Sequence, residues 1–125
     1  MENIKITLDN PQGEYVFSNY GEGFLAVNHQ TLNNSVLIYP DRLEAWPVTT
    51  MSELTADHFD AFIERRPDVL IFGTGVRQHF PSIELRRELA KRNVQMDVMD
   101  TPAACRTYNL LVSEDRNVAA AVLLM

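Results

Sequence analysis

The chain has 125 residues, 46% of them hydrophobic and 22% charged, a balance that suits one globular domain over residues 1–125. Eleven Lys and Arg against seventeen Asp and Glu leave a net charge of −6, a poor match to a phosphate backbone, so nucleic acid is not the expected partner. The single cysteine, Cys105, excludes an internal disulfide and a multi-thiolate zinc site, and no apolar run approaches the ~20 residues of a bilayer-spanning helix.

At the N-terminus, Met1-Glu2-Asn3-Ile4-Lys5 lacks the basic-then-apolar pattern of a secretory signal, and a cytoplasmic protein is expected. Ile4, Ile6 and Leu8 alternate with Lys5 and Thr7 at the period of a half-buried strand, which Asn10-Pro11-Gln12-Gly13 breaks. A second apolar run over 23–27 leads through Asn28-His29-Gln30 and Asn33-Asn34 to a strand over 35–39, and Pro40-Asp41 turns the chain into residues 42–48. These runs predict an antiparallel meander. Tyr15, Phe17, Tyr20, Phe24 and Trp46 supply its packing surface.

The pattern changes at Thr55, placed to cap a helix with Asp57 in its first turn and a Leu54–Phe59 staple across the cap. Phe59, Phe62, Ile63 and Arg66 share one face, and Pro67 ends the helix before a strand over 68–72. Pro81 or Ser82 opens a helix to Arg92 that Asn93 closes, and residues 95–99 form the next strand. Thr101-Pro102 reads as a cap followed by a first-turn proline, for a helix to about Ser113. Asp115-Arg116-Asn117 turns into a last strand over 118–124, apolar throughout and so expected to be buried on both faces. Strand, helix and strand over 68–99 make a βαβ unit, which predicts parallel strands joined by a right-handed crossover.

Parallel strands share a carboxyl edge, where open α/β sheets place their ligands. That edge carries Gly73, Thr74, Gly75, Arg77 and His79 from one loop, with Asp100, Thr101, Cys105 and Arg106 from the start of the next helix. The Gly73-Thr74-Gly75 loop can present backbone N–H groups to an oxyanion, with Arg77 adding charge. Residues 73–78 read Gly-Thr-Gly-Val-Arg-Gln, however, which is neither a Walker A loop nor a dinucleotide fingerprint, and a structural turn is preferred. Cys105, beside Arg106 near a helix start, is a candidate nucleophile, but its base would have to be His79, and a buried inert thiol is the favoured reading. Asn109, mid-helix, is read as a structural hydrogen-bonding residue. Arg86 is bracketed by Ile83, Leu85, Leu89 and Ala90 on the apolar arc; a snorkelling stem is preferred over pairing with a buried carboxylate or lining the crevice. Asp97, Asp100, Glu114 and Asp115 show no metal-ligand spacing, and no metal is expected.

Leu70 to Gly75, Pro81 with Leu85 and Leu89, Met99-Asp100-Thr101, Ala104, Thr107 to Leu110 and Arg116 together resemble one small-domain family. It contains the adipogenesis-associated domain protein, a mitochondrial respiratory complex I assembly factor and many uncharacterised bacterial and archaeal proteins. The resemblance covers nearly the whole chain and is strongest from Val69 onward. It implies an α/β fold of three layers, β+α/β/α, with a central mixed sheet, an antiparallel N-terminal meander and a C-terminal βαβαβ half. It carries over no catalytic residue and no cofactor.

The preferred expectation is therefore a non-enzymatic protein-interaction domain of assembly-factor type, with an unidentified protein partner and no membrane insertion. The alternative is a small-molecule or anion site, enzymatic in one version, formed by Gly73, Thr74, Gly75, Arg77, Thr101, Cys105 and Arg106.

Overall fold

A computed structural model describes residues 13–125, so the predicted strand at 4–8 and most of the turn after it lie outside the described residues. Strands β1 (Phe17–Gly21), β2 (Phe24–Val27) and β3 (Gln30–Leu32) form one antiparallel sheet. Strands β4 (Val36–Tyr39), β5 (Arg42–Ala45), β6 (Val69–Gly73), β7 (Asp97–Met99) and β8 (Val118–Val122) form a second, in the order β5-β4-β8-β6-β7. The chain's last strand is the middle of that sheet, parallel to β6 and antiparallel to β4. The expected parallel β6–β7 pair is present. Helices α1 (Asp60–Arg65), α2 (Ile83–Lys91) and α3 (Thr101–Ser113) complete the expected α/β architecture with its mixed central sheet.

Period-2 alternation sorts each central strand between two cores. Val36, Ile38, Ile71, Val118, Ala120 and Val122 face α3 and the three-stranded sheet. Leu37, Tyr39, Leu70, Phe72, Ala119 and Ala121 face the layer that contains Phe59, Phe62 and Leu89. All five residues of β8 are buried, as its unbroken apolar run predicts. Its three alanines lie opposite Leu70, Ile71 and Phe72 in the ladder, so small side chains on one strand make room for large ones on the next. Trp46, Phe59 and Phe72 pack edge to face with ring centroids 5.5–5.9 Å apart. The Trp46 indole N–H donates to the carbonyl of His58 at 3.0 Å.

Three expectations need correction. The predicted meander is divided between two sheets: β4 and β5 join the central sheet, while β1 and β3, not foreseen as strands, build with β2 the additional β layer that the resemblance implies. Asn28 and His29 both take positive φ, the two-residue turn that turns β2 back on β3. Next, the helix expected from Thr55 begins as a 3-10 turn over Ala56–Phe59 and becomes α-helical only over six residues. Arg66 then takes a left-handed conformation just before Pro67. Finally, Asp100 rather than Thr101 caps α3, its carboxylate accepting the Ala103 N–H at 2.8 Å. The Thr101 hydroxyl is turned inward instead. Helix α2 follows its signals closely: the Ser82 hydroxyl accepts the Leu85 N–H, and Asn93 at positive φ lets the Val94 N–H reach the Leu89 carbonyl at 2.9 Å.

Candidate functional site

The carboxyl edge of β6 brings together Gly73, Thr74, Gly75 and Thr101, all buried. The Thr101 hydroxyl donates to the Leu123 carbonyl at 2.7 Å and accepts the Gly75 N–H at 2.9 Å. The Thr101 N–H in turn donates to the Gly75 carbonyl at 2.8 Å, and the Leu123 N–H to that of Gly73 at 2.9 Å. The Thr74 hydroxyl donates to the Arg77 carbonyl at 2.5 Å and accepts the His79 N–H at 3.1 Å. Its N–H is held by the Met99 carbonyl at 2.9 Å. The end of β6, the start of α3 and the segment after β8 are thereby tied into one polar knot. Burial makes these bonds strong and their loss expensive.

The two glycines serve different physical ends. Gly75 has φ +104°, a conformation open to glycine at little cost. Gly73 matters for space: a Cβ there would lie 2.9 Å from that of Ala104 and 3.2 Å from the Thr101 hydroxyl. Its missing side chain is what lets α3 press onto the sheet.

Cys105 and Arg106 sit elsewhere. They line a separate groove of about 200 Å³ against β1, with Phe17, Tyr20 and Asn109. Arg106, exposed, donates to the Tyr20 hydroxyl at 2.9 Å. Asn109 fulfils its predicted structural role by accepting the Phe17 N–H at 2.9 Å and donating to the Phe17 carbonyl at 2.8 Å, a two-point clasp between α3 and β1. Tyr108 adds a third link, its hydroxyl donating to the Tyr15 carbonyl at 2.9 Å.

Cys105 is 1% exposed, and burial pushes its thiol up to about 12, opposed only weakly by the charge of Arg106. The neutral thiol is thus favoured by folding. Its contribution to stability is intact below the ordinary thiol pKa and is lost as the pH rises toward the folded value. At pH 8 the folded thiolate fraction is roughly a thousandfold below that of an ordinary thiol. A disulfide reagent such as dithionitrobenzoate should therefore label the native chain at least ~100-fold more slowly than the urea-unfolded chain. Equal rates would mean that the thiol is open to solvent.

Two further hollows among the described residues have charged side chains in their walls. One, of about 210 Å³, lies where α1 and α2 both end and is flanked by Arg66 and Arg92. Cations at two helix C-termini have an electrostatic explanation in the helix dipoles. Arg92 also pairs with Asp57 and Asp60 at 2.9 and 3.1 Å. The other, of about 470 Å³, opens between α2 and the outer edge of β7 and contains Phe80, Met96 and Val98 with Arg86. Arg86 lines this hollow, exposed, and makes no ion pair among the described residues. The sequence singled out Arg86 by its place on an apolar arc, but nothing local revealed that β7 would be an edge.

The geometry matches known proteins closely. A family profile described as "Protein of unknown function (DUF498/DUF598)" covers residues 17–123. A solved protein from Bordetella parapertussis superimposes with a TM-score of 0.82 at 33% identity, covering 93% of this chain and 100% of that one. Among curated proteins, the "13 kDa major membrane protein" of Francisella tularensis is 29% identical, over 90% of this chain and 93% of its own length. The "NADH dehydrogenase [ubiquinone] 1 alpha subcomplex assembly factor 3" of Danio rerio is 34% identical over 89% of this chain. This chain spans only 64% of that assembly factor's length. No helix among the described residues is long and apolar enough to cross a membrane.

Proposed function

Because this chain belongs to the DUF498/DUF598 family and is 34% identical to a Danio rerio protein named as an assembly factor of NADH dehydrogenase, we propose that it works by binding another protein as an assembly-factor-like domain. One observation carries the reading: the Thr74 and Thr101 hydroxyls and the Gly75 N–H all have partners within the fold, while Val76, Phe80, Ile83 and Leu110 stand exposed. Exposed bulky side chains are the material of protein contacts. The proposal treats residues 1–125 as one domain and places it in the cytoplasm, where a lone thiol stays reduced.

The rival, an anion or small-molecule site built from Gly73, Thr74, Gly75, Arg77, Thr101, Cys105 and Arg106, requires the Thr101 hydroxyl and Gly75 N–H to exchange internal partners for a ligand. It also requires Cys105 and Arg106 to serve a loop whose groove they do not share. The test is gentle isolation of the tagged chain from its native cells, followed by size-exclusion chromatography. The proposal expects elution in one complex with one other protein at near-equal amounts. A monomeric chain that binds a small anion with shifts at residues 73–75 would favour the rival.

A further inference from the structure

The cleft between α2 and β7 combines three features that the rest of the fold does not use. The first is shape. Among the described residues β7 ends the sheet, paired with β6 alone, and a hollow of about 470 Å³ runs beside it with walls from Phe80, Pro81, Leu89, Met96 and Val98. That volume falls in the range of real ligand pockets. The second is apolar exposure: Phe80, which lines the hollow, is 62% exposed, while Ile83 at 53% and Val76 at 67% lie in the same segment outside its lining. Such side chains are normally covered. The third is charge. Arg86 lines the cleft together with Asp97, and Arg77 and Arg87 stand exposed in the same segment outside that lining; none of the three arginines forms an ion pair among the described residues, nor do Arg66, Arg106 and Arg116 elsewhere. In a chain of net charge −6, three arginines without an ion-pair partner on one segment that also carries Glu84, Glu88 and Asp97 leave side-chain cations available to negative charge from outside.

These features discriminate between occupants. A second copy meeting the same face by two-fold symmetry would set arginine against arginine. A lipid surface takes convex apolar tips, whereas this face is a cleft. Addition of a β-strand along β7 is hindered because the Gln78 side-chain amide already donates to the Val98 carbonyl at 2.8 Å. Anchoring through side chains is what remains.

We infer that this cleft docks an acidic segment of a partner protein, inserting a bulky apolar side chain beside Phe80 while its carboxylates pair with Arg86 and Arg87. The inference rests on the protein-binding reading above and gives it an address and a partner chemistry.

The test uses the full chain, isotope-labelled, with a short synthetic peptide that alternates glutamate with leucine and phenylalanine, and a matched peptide with lysine in place of glutamate. Amide shifts on adding the acidic peptide should fall within residues 76–98, and binding should weaken at least ~10-fold in the double variant Arg86→Glu with Arg87→Glu. That variant should take up the lysine peptide instead, which a merely misfolded chain cannot do. Phe80→Asp, at an exposed position, should also lose binding with its spectrum otherwise intact. Shifts confined to other faces, equal affinity for both peptides, preferential binding to phosphatidylserine vesicles, or self-association through residues 76–98 would each overturn the inference. If the peptide fails while the natively isolated chain still elutes in a stoichiometric complex, the address is wrong and the protein-binding reading stands. If both fail, the reading falls as well.

Discussion

Thr101→Val should destabilise the protein by about 2–4 kcal/mol, because it strands two buried groups, the Gly75 N–H and the Leu123 carbonyl. Valine preserves shape but has no hydroxyl, and neither group can reach water through a helix terminus packed this tightly. Thr101→Ser, which retains the hydroxyl and drops a methyl, should recover most of that loss. Urea unfolding of the three proteins measures both effects. The same pair separates structural from ligand-binding use of the loop: a residue reserved for an absent ligand would show little change in stability on losing its hydroxyl. The knot holds α3 to both β6 and the segment after β8, so its failure should also loosen the sheet's middle strand.

Phe59→Ala should cost about 3–5 kcal/mol, the usual range for removing a buried aromatic ring from a packed core. Phe59 is fully buried and sits between Trp46, Phe62 and Phe72, at centroid distances of 5.5, 6.2 and 5.6 Å. Removing it leaves three rings without a common neighbour and opens a cavity that rigid strands on one side cannot fill. The contrast is Phe80→Ala, the same change at a 62% exposed position, which should alter stability by no more than ~0.5 kcal/mol. Thermal melts of the two variants check the ordering. Equal losses would mean that Phe80 is covered within the fold, removing it as a docking residue.

How far the sequence could be read depended on whether a feature was local. Strand β8 was legible because an unbroken apolar run can only be buried on both faces, and α2 because serine and asparagine mark its ends through their own hydrogen bonds. β1 and β3 were not, since Phe-Ser-Asn-Tyr-Gly and Gln-Thr-Leu are short and half polar, and their strand character comes from pairing with β2. The Gly73-Thr74-Gly75 loop was found correctly as the meeting point of β6 and α3. Its use was harder to see, because whether a backbone N–H is free or spent depends on Thr101, 26 positions from Gly75. The cap of α3 was misplaced by one residue for the same reason: Asp100 and Thr101 are both good caps, and only the carbonyl of Leu123 decides which of them turns inward. Cys105 and Arg106 lie on the same helix as Thr101 but line a groove against β1, a strand that residues 17–21 do not signal.

The most direct test of the account is hydrogen–deuterium exchange on the natively isolated complex compared with the free chain. New protection should concentrate in residues 76–98, around the exposed Phe80 and Ile83, with residues 17–20 and 105–109 unchanged. Protection that appears instead at 17–20 and 105–109, with 76–98 exchanging as in the free chain, would contradict it.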